Sequence, residues 1–186
     1  MREIAKSTIE LAANGDMAAF EDIYKEFSST VYTLAFGVTQ NQQDAEEATQ
    51  DVFVKIFHNL KNFRFDSSFS TWLYRITMNT AINIYRKRKD RGSAFTNYDE
   101  LNDIQLAAPD VSKDQRDRLD AAARVAELLK NINPEHRACI VLREIEGLDY
   151  KEMADVLGIP LNTVRSRLKR AREALVAYCR KGGHSS

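Results

Sequence analysis

Helix breakers are scarce: only seven glycines and three prolines occur in 186 residues. Together with long stretches at helical spacing, that scarcity argues against a β-rich or loop-rich chain and for an all-α protein. Cysteine is rarer still. Cys139 and Cys179 form no framework of spaced pairs, so a disulfide scaffold is excluded and a reducing compartment is expected. No apolar run approaches bilayer length, and the opening Met-Arg-Glu-Ile-Ala-Lys lacks the apolar stretch of a signal peptide. The expectation is a soluble, cytoplasmic protein without membrane insertion. Cys179, His184 and His58 show no ligand spacing, and Cys139 sits among apolar neighbours as a core thiol. No metal or other cofactor is expected.

Net charge is absent too, at +0, but its distribution is uneven. Residues 1–92 hold twelve basic and twelve acidic side chains, residues 93–118 three and six, and residues 119–186 twelve and nine. The basic residues bunch in Arg86-Lys87-Arg88-Lys89 and again over residues 165–172, which hold five cations and no acid. Such clusters mark nucleic-acid or anionic-membrane surfaces better than a global charge does.

Periodicity places a helix over residues 2–13, with Asp16 capping the next. In that second helix Phe20, Ile23, Tyr24, Phe27, Val31, Leu34 and Val38 share a face. After a break at Asn41, a third helix runs over 43–60 with Ala45, Ala48, Val52, Ile56 and Leu60 inward. Its early acids Asp44, Glu46 and Glu47 suit a helix N-terminus. An aromatic connector leads to a fourth helix over 70–89. Periodicity is lost over 92–116, which reads as a linker. It resumes with Leu119, Ala122, Val125, Leu128, Leu129 and Ile132.

Residues 133–172 carry the strongest motif. Pro134 suits a first helical turn, and that helix is expected to reach Glu146 with Cys139, Ile140, Leu142 and Ile145 apolar. Gly147 ends it. Asp149 and Glu152 have capping-box spacing for a short helix over 150–157. Ala154, Gly158 in a tight turn and Val164 six residues later have helix-turn-helix spacing. The last helix buries Val164, Leu168, Ala171 and Leu175. It presents Thr163, Arg165, Ser166, Arg167, Lys169, Arg170 and Arg172, which can pair with phosphate or grip guanine. A solvated basic face is the plainer reading of any such helix, and the Ala/Gly/Val spacing weighs against it here.

Residues 62–89 are the second informative stretch. Phe63, Phe65, Phe69, Trp72 and Tyr74 fall within twelve residues and are followed by Asn79, Tyr85 and the basic run. Bases stack on rings, cations track phosphates, and an Asn amide can bond a base edge, so single-stranded nucleic acid fits. Each aromatic taken singly reads better as core, and composition leaves both readings open. An enzyme such as a nuclease using Asp44, Glu46, Glu47 and Asp51 lacks a second cluster to supply a nucleophile or metal shell.

Taken in order, these segments resemble bacterial sigma factors of the extracytoplasmic-function group over nearly the whole chain. Asp44-Ala-Glu-Glu-Ala-Thr-Gln-Asp-Val-Phe-Val-Lys-Ile-Phe is similar to the family's polymerase-binding helix. The stretch from Phe63-Arg64 through Phe69-Ser-Thr-Trp-Leu-Tyr-Arg-Ile-Thr-Met-Asn79 resembles its promoter-melting segment. Leu142-Arg-Glu-Ile-Glu-Gly-Leu-Asp-Tyr and Thr163-Val-Arg-Ser-Arg-Leu-Lys-Arg-Ala-Arg172 resemble its C-terminal domain.

The resemblance implies two helical domains, a sigma-2-like domain over 1–91 and a sigma-4-like domain over 118–186. A flexible acidic linker over 92–117 joins them, and no N-terminal inhibitory domain precedes them. It implies a non-enzyme that binds core RNA polymerase, through Gln50, Asp51 and Lys55, and directs it to promoters. Thr163, Arg165, Ser166, Arg167, Lys169, Arg170 and Arg172 would read the minus-thirty-five element as duplex. Phe63, Trp72, Tyr74 and Asn79 would take the opened minus-ten non-template strand, with Phe63, Tyr74 and Asn79 forming a pocket for a flipped base. Arg86, Lys87 and Arg88 would hold duplex phosphates upstream of it. Asp99, Glu100 and Asp103 of the linker would thread among basic channel walls. Family members are usually held inactive by an anti-sigma factor, often membrane-anchored. A stand-alone helix-turn-helix regulator is the alternative; it explains residues 149–172 but not 62–89.

Overall fold

The computed structural model describes residues 3–94 and 128–182, and every regular element among them is helical. Helices α1 (Lys6–Ala13), α2 (Met17–Thr39), α3 (Gln42–Asn59) and α4 (Phe69–Ala94) form the N-terminal bundle, with a 3-10 turn at Leu60–Asn62. After a helical turn at 128–130 come α5 (Pro134–Ile140), a π turn (Val141–Ile145), α6 (Tyr150–Leu157) and α7 (Leu161–Gly182). The acidic stretch with Asp99, Glu100 and Asp103, and the start of the periodic segment at Leu119, lie outside the described residues.

Short polar side chains set the helix starts by accepting backbone N–H groups that have no intrahelical partner. The Asp16 carboxylate accepts from the amides of Ala18 (2.9 Å) and Ala19 (3.0 Å). Asn41 does this for Asp44, Ser68 for Thr71 and Asn133 for Glu135. Asp149 and Glu152 form the expected reciprocal box, each bond at 2.8 Å. Gly15, Gly147 and Gly158 hold left-handed conformations where helices end, and α6 leads through Gly158 into α7 as a helix-turn-helix.

Three boundaries differ from the expectation. The first helix starts at Lys6, not at residue 2. Helix α4 continues past Lys89 to Ala94, with no proline to stop it. The helix that begins at Pro134 widens into a π turn at Val141–Ile145. The extra residue rotates Ile145 out of the apolar register, and it is exposed rather than buried.

One apolar core runs through the N-terminal bundle and into α5, α6 and α7. Ile23, Phe27, Val31, Leu34 and Val38 of α2 meet Ala45, Ala48, Val52 and Ile56 of α3 and Leu73, Met78 and Ala81 of α4, all fully buried. Phe27 meets Phe69 edge-on, with ring centres 5.4 Å apart, and pins the start of α4. Val164, Leu168 and Ala171 of α7 are buried as expected, and Leu175 is half-buried. α4 packs along α6, and α2 packs on α5, so the two ends of the chain meet.

Candidate nucleic-acid interface

Helix α7 carries the basic face that the sequence pointed to. Arg165, Ser166, Lys169, Arg170 and Arg172 are exposed, while Thr163 and Arg167 are half-buried. Arg165 donates to the Asn162 amide oxygen at 3.3 Å, which draws it back toward the start of the helix. Arg172 is tied to Glu144 at 2.8 Å across to the π turn. Lys169 lies 3.8 Å from Glu173. Arg170 makes no ion pair with a described residue. This face is convex and cationic, on a helix about 10–12 Å thick with side chains, which is the size a major groove admits.

Around the start of α4 the aromatics form a cluster. Phe63 packs on Phe65 (4.7 Å), Trp72 (5.1 Å) and Phe69 (5.8 Å). Phe69 is core, Phe63 and Trp72 are half-buried, and Phe65 is exposed with Lys6 above its ring. The core reading holds for Phe69, while Phe63, Phe65 and Trp72 keep ring surface open to solvent. Asn79 is exposed and lies seven residues after Trp72, two helical turns on and on the same face.

Tyr74 behaves otherwise. Two residues from Trp72 it points about 160° away around the helix. It is fully buried, and its hydroxyl donates to Glu146 at 2.8 Å. The expected pocket of Phe63, Tyr74 and Asn79 is not assembled in this arrangement, because the C-terminal helices cover Tyr74. In the basic run, Lys87 is exposed, Arg86 is ion-paired with Glu135, and Arg88 pairs with Asp44 at 3.1 Å. Asp44 thus ties α3 to α4 in addition to standing near the start of its own helix.

On α3, Gln50 and Asp51 are exposed, and the Lys55 ammonium donates to the Thr80 hydroxyl at 2.8 Å. Beside them stand apolar side chains that sequence reasoning passed over: Val54 is 55% exposed and Phe57 46%. Tyr24 of α2 packs against Phe53, and Phe20 meets Phe57 edge-on. The signal was available, because the inward stripe of α3 is already complete without Val54 and Phe57. An exposed apolar patch rimmed by polar residues marks a protein partner.

Arg137 was also missed. It shares a register with Pro134, Ala138 and Val141, and it is fully buried with no carboxylate partner among the described residues. Its guanidinium donates to the carbonyls of Val38, Ile132 (2.9 Å) and Lys130 (3.3 Å), and it lies over the Tyr85 ring at 5.1 Å. Burial lowers its pKa from the usual arginine value. Burial pushes the Cys139 thiol up to about 11, which fits the core thiol expected. Among the described residues, no group of three or more His, Cys, Asp or Glu side chains could hold a metal, and no helix is long and apolar enough to cross a membrane.

Comparison with known proteins matches the same two stretches. The family models for sigma-70 region 2 and sigma-70 region 4 match residues 23–91 and 122–175. The ECF RNA polymerase sigma factor SigE of Mycolicibacterium smegmatis is 37% identical, over 94% of this chain and 67% of its own. The RNA polymerase sigma-H factor of Pseudomonas aeruginosa is 35% identical, over 94% and 93%. Among solved structures, CnrH in complex with the cytosolic domain of CnrY superposes with a TM-score of 0.68 at 28% identity, covering 94% of this chain and 96% of CnrH. The sigma factor RpoE of Bartonella quintana, solved with the anti-sigma factor NepR, shares the fold, with a TM-score of 0.61 at 22% identity over 84% of this chain and 93% of its own. Shared sequence along nearly the whole chain, and two matched regions in the order of the two basic surfaces, place this protein in the extracytoplasmic-function group of bacterial RNA polymerase sigma factors.

Proposed function

We propose that this sigma factor binds core RNA polymerase and reads promoters with two separate surfaces, without enzymatic activity of its own. The observation that carries the reading is that one chain holds a capped helix-turn-helix with a cationic α7 and, on α4, an aromatic cluster sharing a face with exposed Asn79. Duplex reading by Arg165, Ser166, Arg167, Lys169 and Arg170 supplies the upstream contact. Phe63, Trp72 and Asn79 supply stacking and a base-edge hydrogen bond to the opened strand, with Lys87 and its neighbours on phosphate. Gln50 and Asp51, with Val54 and Phe57, form the polymerase-facing patch. The domain division follows the same surfaces, 1–91 and 118–186, with 92–117 between them.

An anti-sigma factor is the partner we propose for restraint. Since CnrH was solved with a cytosolic domain of CnrY, a membrane-anchored form of that partner is part of the proposal. The decisive assay is run-off transcription with bacterial core polymerase. Promoter-specific transcripts that need both proteins are expected. Tight operator binding by this chain alone, with no stimulation of core, would instead establish a stand-alone regulator.

A further inference from the structure

The π turn at Val141–Ile145 lies where the helix begun at Pro134 gives way to the helix-turn-helix. Its widened backbone is held by long steps. The Glu146 amide donates to the Val141 carbonyl at 3.3 Å, and the Leu148 amide donates to the Leu142 carbonyl at 3.0 Å. Two consecutive side chains leave this turn for different helices. Arg143 donates to the Leu148 carbonyl at 2.7 Å and lies over the Tyr150 ring at 5.5 Å, so it holds the start of α6. Glu144 accepts from Arg172 at 2.8 Å and so holds α7. The Glu144 carboxylate raises Arg172 above the usual arginine pKa, and the Tyr150 hydroxyl adds to the effect. Both grips therefore converge on Tyr150.

Arg172 stands apart from the outward cations of α7. It follows buried Leu168 by four residues, which is about 40° round the helix, and it lies about 160° from Arg170. Ser166 and Arg170, also four residues apart, are exposed on the outward face.

We infer that the π turn aims the reading helix, with Arg143, Glu144 and Arg172 as positioning residues, so that Arg172 is a strut and not a DNA contact. The inference rests on the proposed function, which makes α7 the duplex reader. A π turn is rare and occurs mostly as a single turn at functional places. Here it sends Arg143 to one helix of the helix-turn-helix and Glu144 to the other. The Glu144–Arg172 pair is exposed at both ends, with side chains 55% and 53% accessible, and such a pair adds little to stability. Its consequence lies instead in where it holds α7, because side chains that read base edges work only within a narrow error of aim. A cation meant for phosphate would gain nothing from a carboxylate at 2.8 Å, which an incoming anion would have to displace.

Holoenzyme made from core polymerase and the full chain tests this, bound to promoter duplex and to non-promoter duplex across a salt series. Arg172→Ala and Glu144→Ala should each lower the preference for promoter about fivefold, the size of one lost ordering contact. Swapping the partners, Glu144→Arg with Arg172→Glu, should restore most of that preference. The slope of log affinity on log salt should be the same in Arg172→Ala as in wild type, since no phosphate contact is lost. A slope shallower by about one in Arg172→Ala makes it a phosphate contact and overturns the inference. So does a preference unchanged in both single variants, or one that the swap does not restore. The free chain gives a reading without DNA: amide hydrogen exchange over 141–148 and 168–176 should quicken in Glu144→Ala and slow again in the swap. Unchanged rates overturn the strut. If wild-type holoenzyme does not prefer promoter, the sigma reading fails, while the hydrogen-exchange rates still decide the strut.

Discussion

Gly37→Ala should open the molecule, and its size can be worked from the contact. The added methyl would sit 2.7 Å from Val141 Cγ2 and 3.2 Å from Cγ1, and Val141 is fully buried. Crowding a packed interior by one carbon costs about 1–3 kcal/mol. Alanine in place of glycine inside α2 returns about 0.5–1 kcal/mol of helix stability. That gain is made in open and closed forms alike, so at its central value the crowding costs closure about 2 kcal/mol, which lowers the ratio of closed to open molecules about thirtyfold. The N-terminal bundle itself is not weakened, because the clash arises only against the C-terminal helices. Energy transfer between dyes at the exposed positions Glu47 and Ala177 would report the separation. Val141→Ala deletes both clashing methyls, so in the double variant the two effects should be non-additive by about 1 kcal/mol or more. Additive thermal stabilities, together with unchanged transfer efficiency in Gly37→Ala, would refute the reasoning.

Asn79→Ala should impair promoter opening or minus-ten selectivity and leave core binding intact, as read by permanganate footprinting beside a core-binding assay; equal loss of both would make Asn79 structural. Arg170→Ala should weaken upstream duplex recognition by about 1–3 kcal/mol if a guanine contact is lost, and unchanged transcription across all promoters would refute that role. Acid should loosen the closed form. Burial alone would raise the Glu135 carboxyl, but its own backbone N–H and Arg86 outweigh it and hold it below the ordinary value of 4.5. Burial, then Arg167 and Arg170, hold His136 below 6.5. Both groups favour the deprotonated form when folded, so their stabilisation is complete above those unfolded values and lost as pH falls through the depressed ones. The melting temperature should therefore decline below about pH 6.5, and His136→Asn should flatten the first part of that decline. Cys139, with its thiol at about 11, should resist alkylation of the native protein at neutral pH, where only about one thiol in ten thousand is ionised. Stoichiometric labelling under native conditions would contradict its burial.

Local chemistry made much of this protein readable from its residues. Asp16, Asp149 with Glu152, Gly147 and Gly158 act on backbone within a few residues of themselves, so the helix ends and the helix-turn-helix follow from short spacings. The inward faces of α2, α3 and α7 follow from period, and so does the cationic face of α7. The π turn did not, because one extra residue in a helix leaves no mark in composition; it surfaced only as Ile145 turned outward.

What only the tertiary structure decided concerns pairs far apart in the chain. Tyr74 reads as one more ring in an aromatic segment until Glu146, 72 residues on, takes its hydroxyl. Arg86 reads as a phosphate contact until Glu135 neutralises it. Arg137 stands at an apolar register with no nearby acid, and only the fold supplies the Val38 carbonyl and the Tyr85 ring that let a cation be buried. By itself, then, the sequence determined the helices, their faces and the chemistry of each surface, because those depend on neighbours within one or two turns. Which surfaces are open and which are shut depends on how the two ends pack, and no periodicity or local motif encodes a contact made across half the chain.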